Sequence, residues 1–264
     1  SIQNTPYLLC VEVDDANWSS SNWTDVDNHT IFSNDCSSIS AAKTYVPDEV
    51  FEYKLEGMFK GDGIPNNNYV YTHNIKDIES LTFENGFFPL YDNNGLGLLD
   101  LTGLESIDSL KSLFIQHQGN LSTIDLSQNS KLELIRILEC NITSLDLSQN
   151  QNLKTLFCDN NSITTLDLSQ NHQLTSLNCA RNNLNTLIVN NGNNTNFSNF
   201  ETTNNPNLTC ITVDDPSWSI ANWNLIDHHT SFSSDCDACV TKYSNDVISA
   251  GDSLVWIDGN TYFT

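Results

Sequence analysis

A motif repeats along this chain with a fixed period of 21 residues. Three nearly identical stretches of nine residues share the run Asp-Leu-Ser-Gln-Asn and start at residues 121, 142 and 163. A fixed period in this range is typical of solenoids, in which each unit buries its apolar face only by stacking on its neighbours. The repeat therefore predicts a solenoid and directs the functional question toward a binding surface rather than a catalytic pocket.

A second duplication relates segments that lie 200 residues apart. Cys10–Trp23 is matched by Cys210–Trp223, and the register continues to Cys36 and Cys236. Because the second copy directly follows the repeats, we expect it to cap the C-terminal end of the array. We expect the first copy to cap a preceding array that is missing from this sequence, so that the chain is a fragment or a processed product of a longer protein with tandem modules.

Seven of the eight cysteines fall into two groups by position. Cys10 and Cys36 are 26 residues apart, as are Cys210 and Cys236, which suggests two disulfides and an oxidising compartment. Each disulfide would stabilise its loop by about 3 kcal/mol if chain entropy dominates. Cys140, Cys158 and Cys179 lie inside the repeats and are expected to be buried thiols, since zinc would require closely spaced ligands. The pairing of Cys239 is left open.

The composition excludes some classes of partner. The formal net charge is −23, with 10 Lys and Arg against 33 Asp and Glu, which disfavours nucleic acid and anionic membranes. Hydrophobic residues make up 38% of the chain, enough for a folded core. No apolar run is long enough to span a membrane, so membrane insertion is not expected.

Aligned on the 21-residue period, the units follow the pattern Leu-x-x-Leu-x-Cys-x-x-Asn-x-Leu, as in Leu153–Ile163 and Leu174–Leu184. This pattern resembles the leucine-rich repeat family over about residues 76–213. The resemblance implies that each Leu-x-x-Leu-x-Leu stretch is a strand of a parallel sheet lining a concave face. It also implies an asparagine ladder where the chain leaves the strand, with Cys140 in the place of Asn161 and Asn182.

The short repeat and the Val-Asp-Asp…Trp…Asn-Trp cap also look like secreted repeat proteins of the Bacteroidetes type. The segment Val255–Tyr262 resembles modules of large exported surface proteins. These resemblances imply a bacterial, multi-modular parent protein and an extracellular or cell-surface location.

The predicted fold class is an α/β solenoid: a leucine-rich repeat with a parallel concave sheet, a short N-terminal cap helix, disulfide-closed C-terminal caps and a β-hairpin-like tail. Residues 1–44 are assigned to the cap of a preceding array plus a linker. Residues 45–236 form the repeat domain, with a cap helix over 45–58 and a C-terminal cap over 206–236. Residues 237–264 are a linker and the start of a following β module. Residues 84–99 are expected to be an insertion.

The resemblance places the outward strand positions on the concave face, where a partner would bind. The predicted binding residues are Lys111, Phe114, His117, Arg136, Lys154, Phe157, Asp159, Asn178, Arg181 and Glu201. Half of the ten cationic residues lie on or near this sheet, and exposed aromatic and arginine side chains are common interface anchors. The alternative is that these residues are only the mixed charge and β-forming side chains that any exposed sheet face carries.

Two features of the caps allow more than one interpretation. The paired tryptophans Trp18/Trp23 and Trp218/Trp223 suit carbohydrate stacking or cap packing, and packing is favoured because both copies keep one spacing beside the disulfide. The Asp14-Asp15 and Asp214-Asp215 pairs raise the possibility of calcium. Because no Asp-x-Asp-x-Asp-Gly loop is present, turn and helix-cap roles are favoured, and no metal or cofactor is predicted.

The chain lacks the sequence patterns of common enzymes. Gly-x-Ser-x-Gly, His-Glu-x-x-His, phosphate-loop and dinucleotide patterns are all absent from the sequence, so no catalytic residue is predicted. The leading hypothesis is an extracellular adhesion module that recognises a protein or glycan through the concave face. The alternative is a structural spacer of a stalk or filament that contacts neighbouring modules or protomers, including a homo-oligomer. A third class, the accessory domain of a secreted enzyme, would need a catalytic domain elsewhere.

Overall fold

The computed structural model describes residues 10–24, 26, 30–34, 36, 42–84 and 97–236, together with the backbone of 253–255 and 261–263. The elements follow in this order: β1 (Cys10–Glu12), α1 (Ala16–Asn22), β2 (Ile31–Ser33), β3 (Lys43–Tyr45), α2 (Glu49–Gly57), β4 (Tyr69–Tyr71), α3 (Thr72–Ile75), β5 (Ser80–Phe83), β6 (Ser112–Gln116), β7 (Leu134–Leu138), β8 (Thr155–Phe157), β9 (Thr165–Asp167), β10 (Ser176–Asn178), β11 (Thr186–Ile188), β12 (Asn199–Glu201), β13 (Cys210–Thr212), α4 (Pro216–Asn222), β14 (Ser231–Ser233), β15 (Ser253–Val255) and β16 (Thr261–Phe263). Within these residues, no helix is long and apolar enough to cross a membrane.

Six parallel strands form the predicted concave sheet, in the order β12-β10-β8-β7-β6-β5. One apolar residue from each strand pairs in register with the next, and all six are buried: Leu81, Leu113, Ile135, Leu156, Leu177 and Phe200. Side chains alternate across a strand, so the residues one position later face outward. The leucine-rich repeat solenoid predicted from the sequence is therefore the observed architecture.

A second parallel sheet lies on the other side of the solenoid, in the order β14-β13-β11-β9. Its strands come from the Leu-Asp-Leu half of the repeat and from the cap, and they pair through Leu166, Leu187, Ile211 and Phe232. The repeat pattern does not predict these strands. Each is only three residues long, too short for alternation to be recognised.

Two ladders of buried asparagines satisfy the backbone where the chain turns. In the predicted ladder, Asn182 Nδ2 donates to the carbonyls of Cys158 and Cys179 at 2.9 and 3.2 Å, and Asn182 Oδ1 accepts from the Ile163 N–H at 2.9 Å. The second ladder was not predicted separately and uses the last residue of Leu-Ser-Gln-Asn. There, Asn171 Nδ2 donates to the carbonyls of Leu147 and Asn150, both at 3.0 Å.

The three cysteines inside the repeats are buried free thiols, as predicted. Burial raises the pKa of Cys140, Cys158 and Cys179, since a thiolate loses its hydration in an apolar core. Cys140 occupies a ladder position, where its Sγ donates to the carbonyl of Leu138 at 3.3 Å.

The N-terminal cap helix is shorter than the sequence predicts. The predicted range is 45–58, but α2 begins at Glu49, because Asp48 is the N-cap and accepts from the N–H groups of Val50 and Phe51. Tyr45 belongs instead to β3, which pairs antiparallel with β4. Pro47 therefore lies before the cap rather than in the first turn. The packing of Phe51 against Phe83, with ring centroids 5.7 Å apart, covers the first strand of the concave sheet.

Both predicted disulfides are present, between Cys10 and Cys36 and between Cys210 and Cys236. In the tail, β15 and β16 pair antiparallel, in agreement with the predicted hairpin. Residues 85–96 of the expected insertion lie outside the described residues, as do Cys239 and most of the predicted linker.

Replacing one ladder asparagine should destabilise the whole array. Asn182→Ala removes the partner of the buried Ile163 N–H, whereas the carbonyls of Cys158 and Cys179 keep Asn161 and Asn205 as donors. One unpaired buried group costs about 1–3 kcal/mol, so the free energy of unfolding should fall by roughly that amount. The adjacent, exposed Asn183 provides a matched control, and Asn183→Ala should have little effect. Urea denaturation followed by circular dichroism measures both. Equal stability of the two variants would contradict the ladder's structural role.

The repeat thiols should resist alkylation while the chain is folded. N-ethylmaleimide is expected to leave Cys140, Cys158 and Cys179 unmodified in the native protein, because burial raises their pKa values and blocks access. All three should react in denaturant. Ser144, an exposed residue four positions after Cys140, provides a positive control. The introduced thiol of Ser144→Cys should react in the native state. Peptide mapping by mass spectrometry distinguishes the sites, and native alkylation of Cys158 as fast as that of the introduced thiol would refute the prediction.

Candidate binding face on the concave sheet

The central predicted residues form one row across the concave sheet. Strand pairing places Thr82, Phe114, Arg136, Phe157, Asn178 and Glu201 side by side in register. A bridge from Glu201 to the exposed Leu225 extends the row into the C-terminal cap. All five predicted central positions are thus brought together on the outward side of the sheet.

Arg136 is the exposed cation at the middle of this row. Its guanidinium lies over the ring of Phe157, with 4.9 Å between the Cζ atom and the ring centroid. Such cation–π contacts hold a guanidinium in place without neutralising its charge. Among the described residues, no carboxylate lies within ion-pair distance of Arg136. Its charge and hydrogen-bonding groups therefore stay available to a partner.

The two predicted lysines are already paired at the entry to the strands. Lys111 Nζ lies 2.7 Å from Glu79, and Lys154 Nζ lies 2.7 Å from Glu133. The hydrogen bond that Lys111 donates to Glu79 raises the pKa of Lys111, and the hydrogen bond that Glu133 accepts from Lys154 lowers the pKa of Glu133. All four side chains are substantially exposed, so these pairs add little stability. They nevertheless reduce the local excess of positive charge that the sequence predicts.

A different row follows the strands, where the chain turns out of the sheet. His117, Glu139, Asn160, Arg181 and Asn204 all have positive φ angles between 53° and 61°. The predicted binding residues His117 and Arg181 lie here, at the edge of the face rather than at its centre. His117 Nδ1 contacts a carboxylate oxygen of Glu139 at 2.8 Å, whereas Arg181 is exposed.

The C-terminal part of the face is polar and internally hydrogen-bonded. Asn178 Nδ2 donates to Glu201 at 3.4 Å, and the hydroxyl of Thr203 donates to the same carboxylate at 3.3 Å. Asp159 accepts from the side chain of Asn160 at 2.9 Å. The concave face therefore divides into a Phe114–Arg136–Phe157 cluster and a polar half whose acidic groups already have partners.

Glu79 and Glu133 are the charged residues that matter for this face and are absent from the predicted set. The alternation Glu79, Lys111, Glu133, Lys154 appears only when the four strands are laid in register. The 21-residue spacing between Glu133 and Lys154 places the two side by side and predicts that Glu133 flanks this face. The Glu79–Lys111 pair spans the insertion, so the two residues are not one repeat period apart and the sequence spacing does not predict their contact.

The cap residues considered for calcium serve as backbone acceptors. Asp215 caps α4 by accepting from the N–H groups of Ser217 and Trp218, at 2.9 and 3.1 Å. Asp227 accepts from the N–H groups of Asn204 and Asn205, at 2.9 and 2.7 Å. Asp15 caps α1 in the same way. In the described part of the chain, no group of three or more His, Cys, Asp or Glu is placed to hold a metal ion.

A surface pocket of about 450 Å³ lies on the convex side, near Leu101 and Ile124. Three of its lining carboxylates already bind local backbone N–H groups: Asp100 that of Thr102, Glu105 that of Gly103 and Asp125 that of Ser127. None of the predicted binding residues lines this acidic pocket, so the concave face remains the candidate site.

Three solved structures from Listeria monocytogenes are similar to this chain. The functional domain of InlJ from Listeria monocytogenes, described as including a cysteine ladder, matches with a TM-score of 0.51 and 26% identity over 66% of this chain and 38% of that chain. The internalins InlF and InlC2 of Listeria monocytogenes str. 4b F2365 match with TM-scores of 0.40 and 0.37 and identities of 22% and 15%. These matches cover 59% and 72% of this chain and 50% and 90% of theirs.

This chain thus spans well under half of the InlJ structure that it matches. No protein-family model and no curated protein matches the sequence. InlJ is a leucine-rich repeat protein, and the match to its functional domain agrees with the fold observed here. The likeness to proteins of the Bacteroidetes type stays a prediction.

Proposed function

We propose that this chain is an extracellular adhesion module whose concave sheet binds a segment of a partner protein. The observation that carries the proposal is the Phe114–Arg136–Phe157 cluster. The exposed guanidinium of Arg136 lies over the ring of Phe157 at the centre of the concave face. Among the described residues it has no carboxylate partner, although the chain has a net charge of −23. Arginine and aromatic side chains are the usual anchors of protein interfaces.

The chemistry of the cluster favours a partner segment with a carboxylate beside an apolar side chain. A guanidinium presents a planar fork of N–H donors that fits a carboxylate through two parallel hydrogen bonds. The half-buried rings of Phe114 and Phe157 on either side offer apolar contact. A glycan, the other predicted partner class, would stack on an open ring, but the ring of Phe157 already carries Arg136.

The extracellular assignment rests on the two disulfides, since such bonds persist in oxidising compartments and are rare in the cytosol. The internalin-like fold agrees with an interaction module rather than an enzyme.

Loss of the cluster should weaken binding and leave the fold intact. The full chain, immobilised, is used to select binders from a displayed random-peptide library. We expect selected peptides to carry Asp or Glu next to an apolar residue. Arg136→Ala and Phe157→Ala should each reduce their affinity about tenfold or more, as for other interface anchors. Both residues face outward, so thermal unfolding should change little.

Lys131→Ala is the matched control, because it removes an exposed cation from a turn of the same repeat. It should bind the selected peptides as the unaltered chain does. Peptides that bind Arg136→Ala and Phe157→Ala with undiminished affinity would show that the concave cluster is not the binding site. Arg136→Lys should bind the selected peptides more tightly than Arg136→Ala but more weakly than the unaltered chain, because an ammonium group cannot reproduce the two parallel hydrogen bonds of a guanidinium.

The structural-spacer alternative is supported by a separate observation, the duplication of the cap. Two copies of one C-terminal cap in a single chain are expected where several repeat arrays follow one another. This role does not exclude binding by the concave face, because the two functions use different surfaces.

A further inference from the structure

The cap at the start of the chain has the same structure as the cap that closes the array. In the first cap (residues 10–36), β1 pairs in parallel with β2, and in the second cap (residues 210–236) β13 pairs in parallel with β14. The second strand follows the first by 21 residues in both. Each cap has a seven-residue helix whose aspartate N-cap has a φ of −134°, and each is closed by a disulfide across 26 residues. The two caps are one structural unit in two copies.

The two caps differ in what covers their tryptophans. Trp223 is 6% exposed, because it stacks on Phe200 of the last repeat with ring centroids 3.7 Å apart and an interplanar angle of 6°. Its counterpart Trp23 is 46% exposed. In the described residues, the aromatic partners of Trp23 are Trp18 and Phe32, both within the first cap. An unpaired apolar face is thus present only in the first copy.

The backbone shows the same difference. β13 pairs on one side with β14 and on the other with β11 of the array. For β1, the only pairing within the described residues is with β2. Ile211 and Val213 are buried in the second cap, whereas Val11 and Val13 are only partly buried. The exposed surface of the first cap therefore coincides with the surface that contacts the last repeat in the second.

The sequence match extends upstream of the first cap. Asn4, Pro6 and Leu8 correspond, 200 positions earlier, to Asn204, Pro206 and Leu208 at the end of the last repeat. In this register Ser1 corresponds to Glu201, so the counterpart of Phe200 is the position immediately before Ser1.

We propose that the inner face of the first cap, formed by Val11, Val13, Trp18 and Trp23, docks on the last turn of another leucine-rich repeat array that precedes Ser1 in the same polypeptide. That turn contributes a parallel strand to the free edge of β1 and a large apolar side chain, immediately before Ser1, that stacks on Trp23. A second copy of this chain does not offer such a turn, because Trp223 already covers its last repeat. This inference is independent of the concave binding site.

A tandem fusion tests the proposal. Residues 43–209 are joined directly to Cys10 of the full chain, which places Phe200 of the added array ten residues before Cys10. Hydrogen exchange of the peptide covering residues 10–24 should slow by about tenfold or more, because β1 gains a second strand partner. Oxidative labelling of Trp23 should fall toward the level of Trp223. The same fusion with Phe200→Asp in the added array is the control and should show much weaker protection.

Three results would contradict the proposal. One is unchanged exchange and labelling of residues 10–24 in a fusion whose added array is itself protected from exchange. Another is protection of residues 10–24 in the unfused chain that increases with protein concentration, since this would assign the face to a second copy. A polar residue immediately before Ser1 in the natural polypeptide would also contradict the stacking on Trp23.

Discussion

The solenoid depends on how it satisfies the backbone groups that its turns bury. Each repeat leaves its strand within a few residues, and carbonyl and N–H groups at these points face the core rather than a neighbouring strand. Asparagine amides bind them, as Asn161 does for the Ile137 carbonyl at 2.7 Å and for the Ile142 N–H at 3.1 Å. An unpaired buried group costs enough free energy that few could be tolerated in one domain. The ladders therefore fix where each turn lies, and thereby the register of the whole sheet.

Register in turn creates the candidate binding face. Once the buried row from Leu81 to Phe200 is aligned, the next residue of every strand must face outward, in line with its neighbours. This is why the row from Phe114 to Glu201 could be predicted from the repeat spacing together with the resemblance to leucine-rich repeats. The same reasoning predicted the buried thiols, because Cys158 and Cys179 occupy the inward position two residues after a buried leucine. The disulfides were predicted from the equal spacing in the two caps.

Features that depend on contacts between unlike segments could not be predicted from the period. The convex strands need the neighbouring repeat to complete their hydrogen bonds, and three residues such as Thr165–Asp167 carry too little pattern alone. The start of α2 depends on Asp48, whose carboxylate binds the first turn of α2 and also the N–H groups of Leu99 and Asp100, about fifty residues away. The contact of Arg136 with Phe157 follows from register, but the pairing of Lys111 with Glu79 crosses an insertion of irregular length.

Because no repeat buries its own apolar side chains, the first and last repeats of the array must be covered by other segments. At the N-terminal end, Phe51 of the cap helix covers Phe83 of the first concave strand. At the C-terminal end, Trp223 covers Phe200, and Asp227 and Asp214 bind backbone N–H groups of the last turns. The C-terminal cap is thus specific for an open strand edge with an apolar side chain at its centre. Because the first cap keeps Trp23 in the place of Trp223, its exposed tryptophans are suited to the same kind of contact.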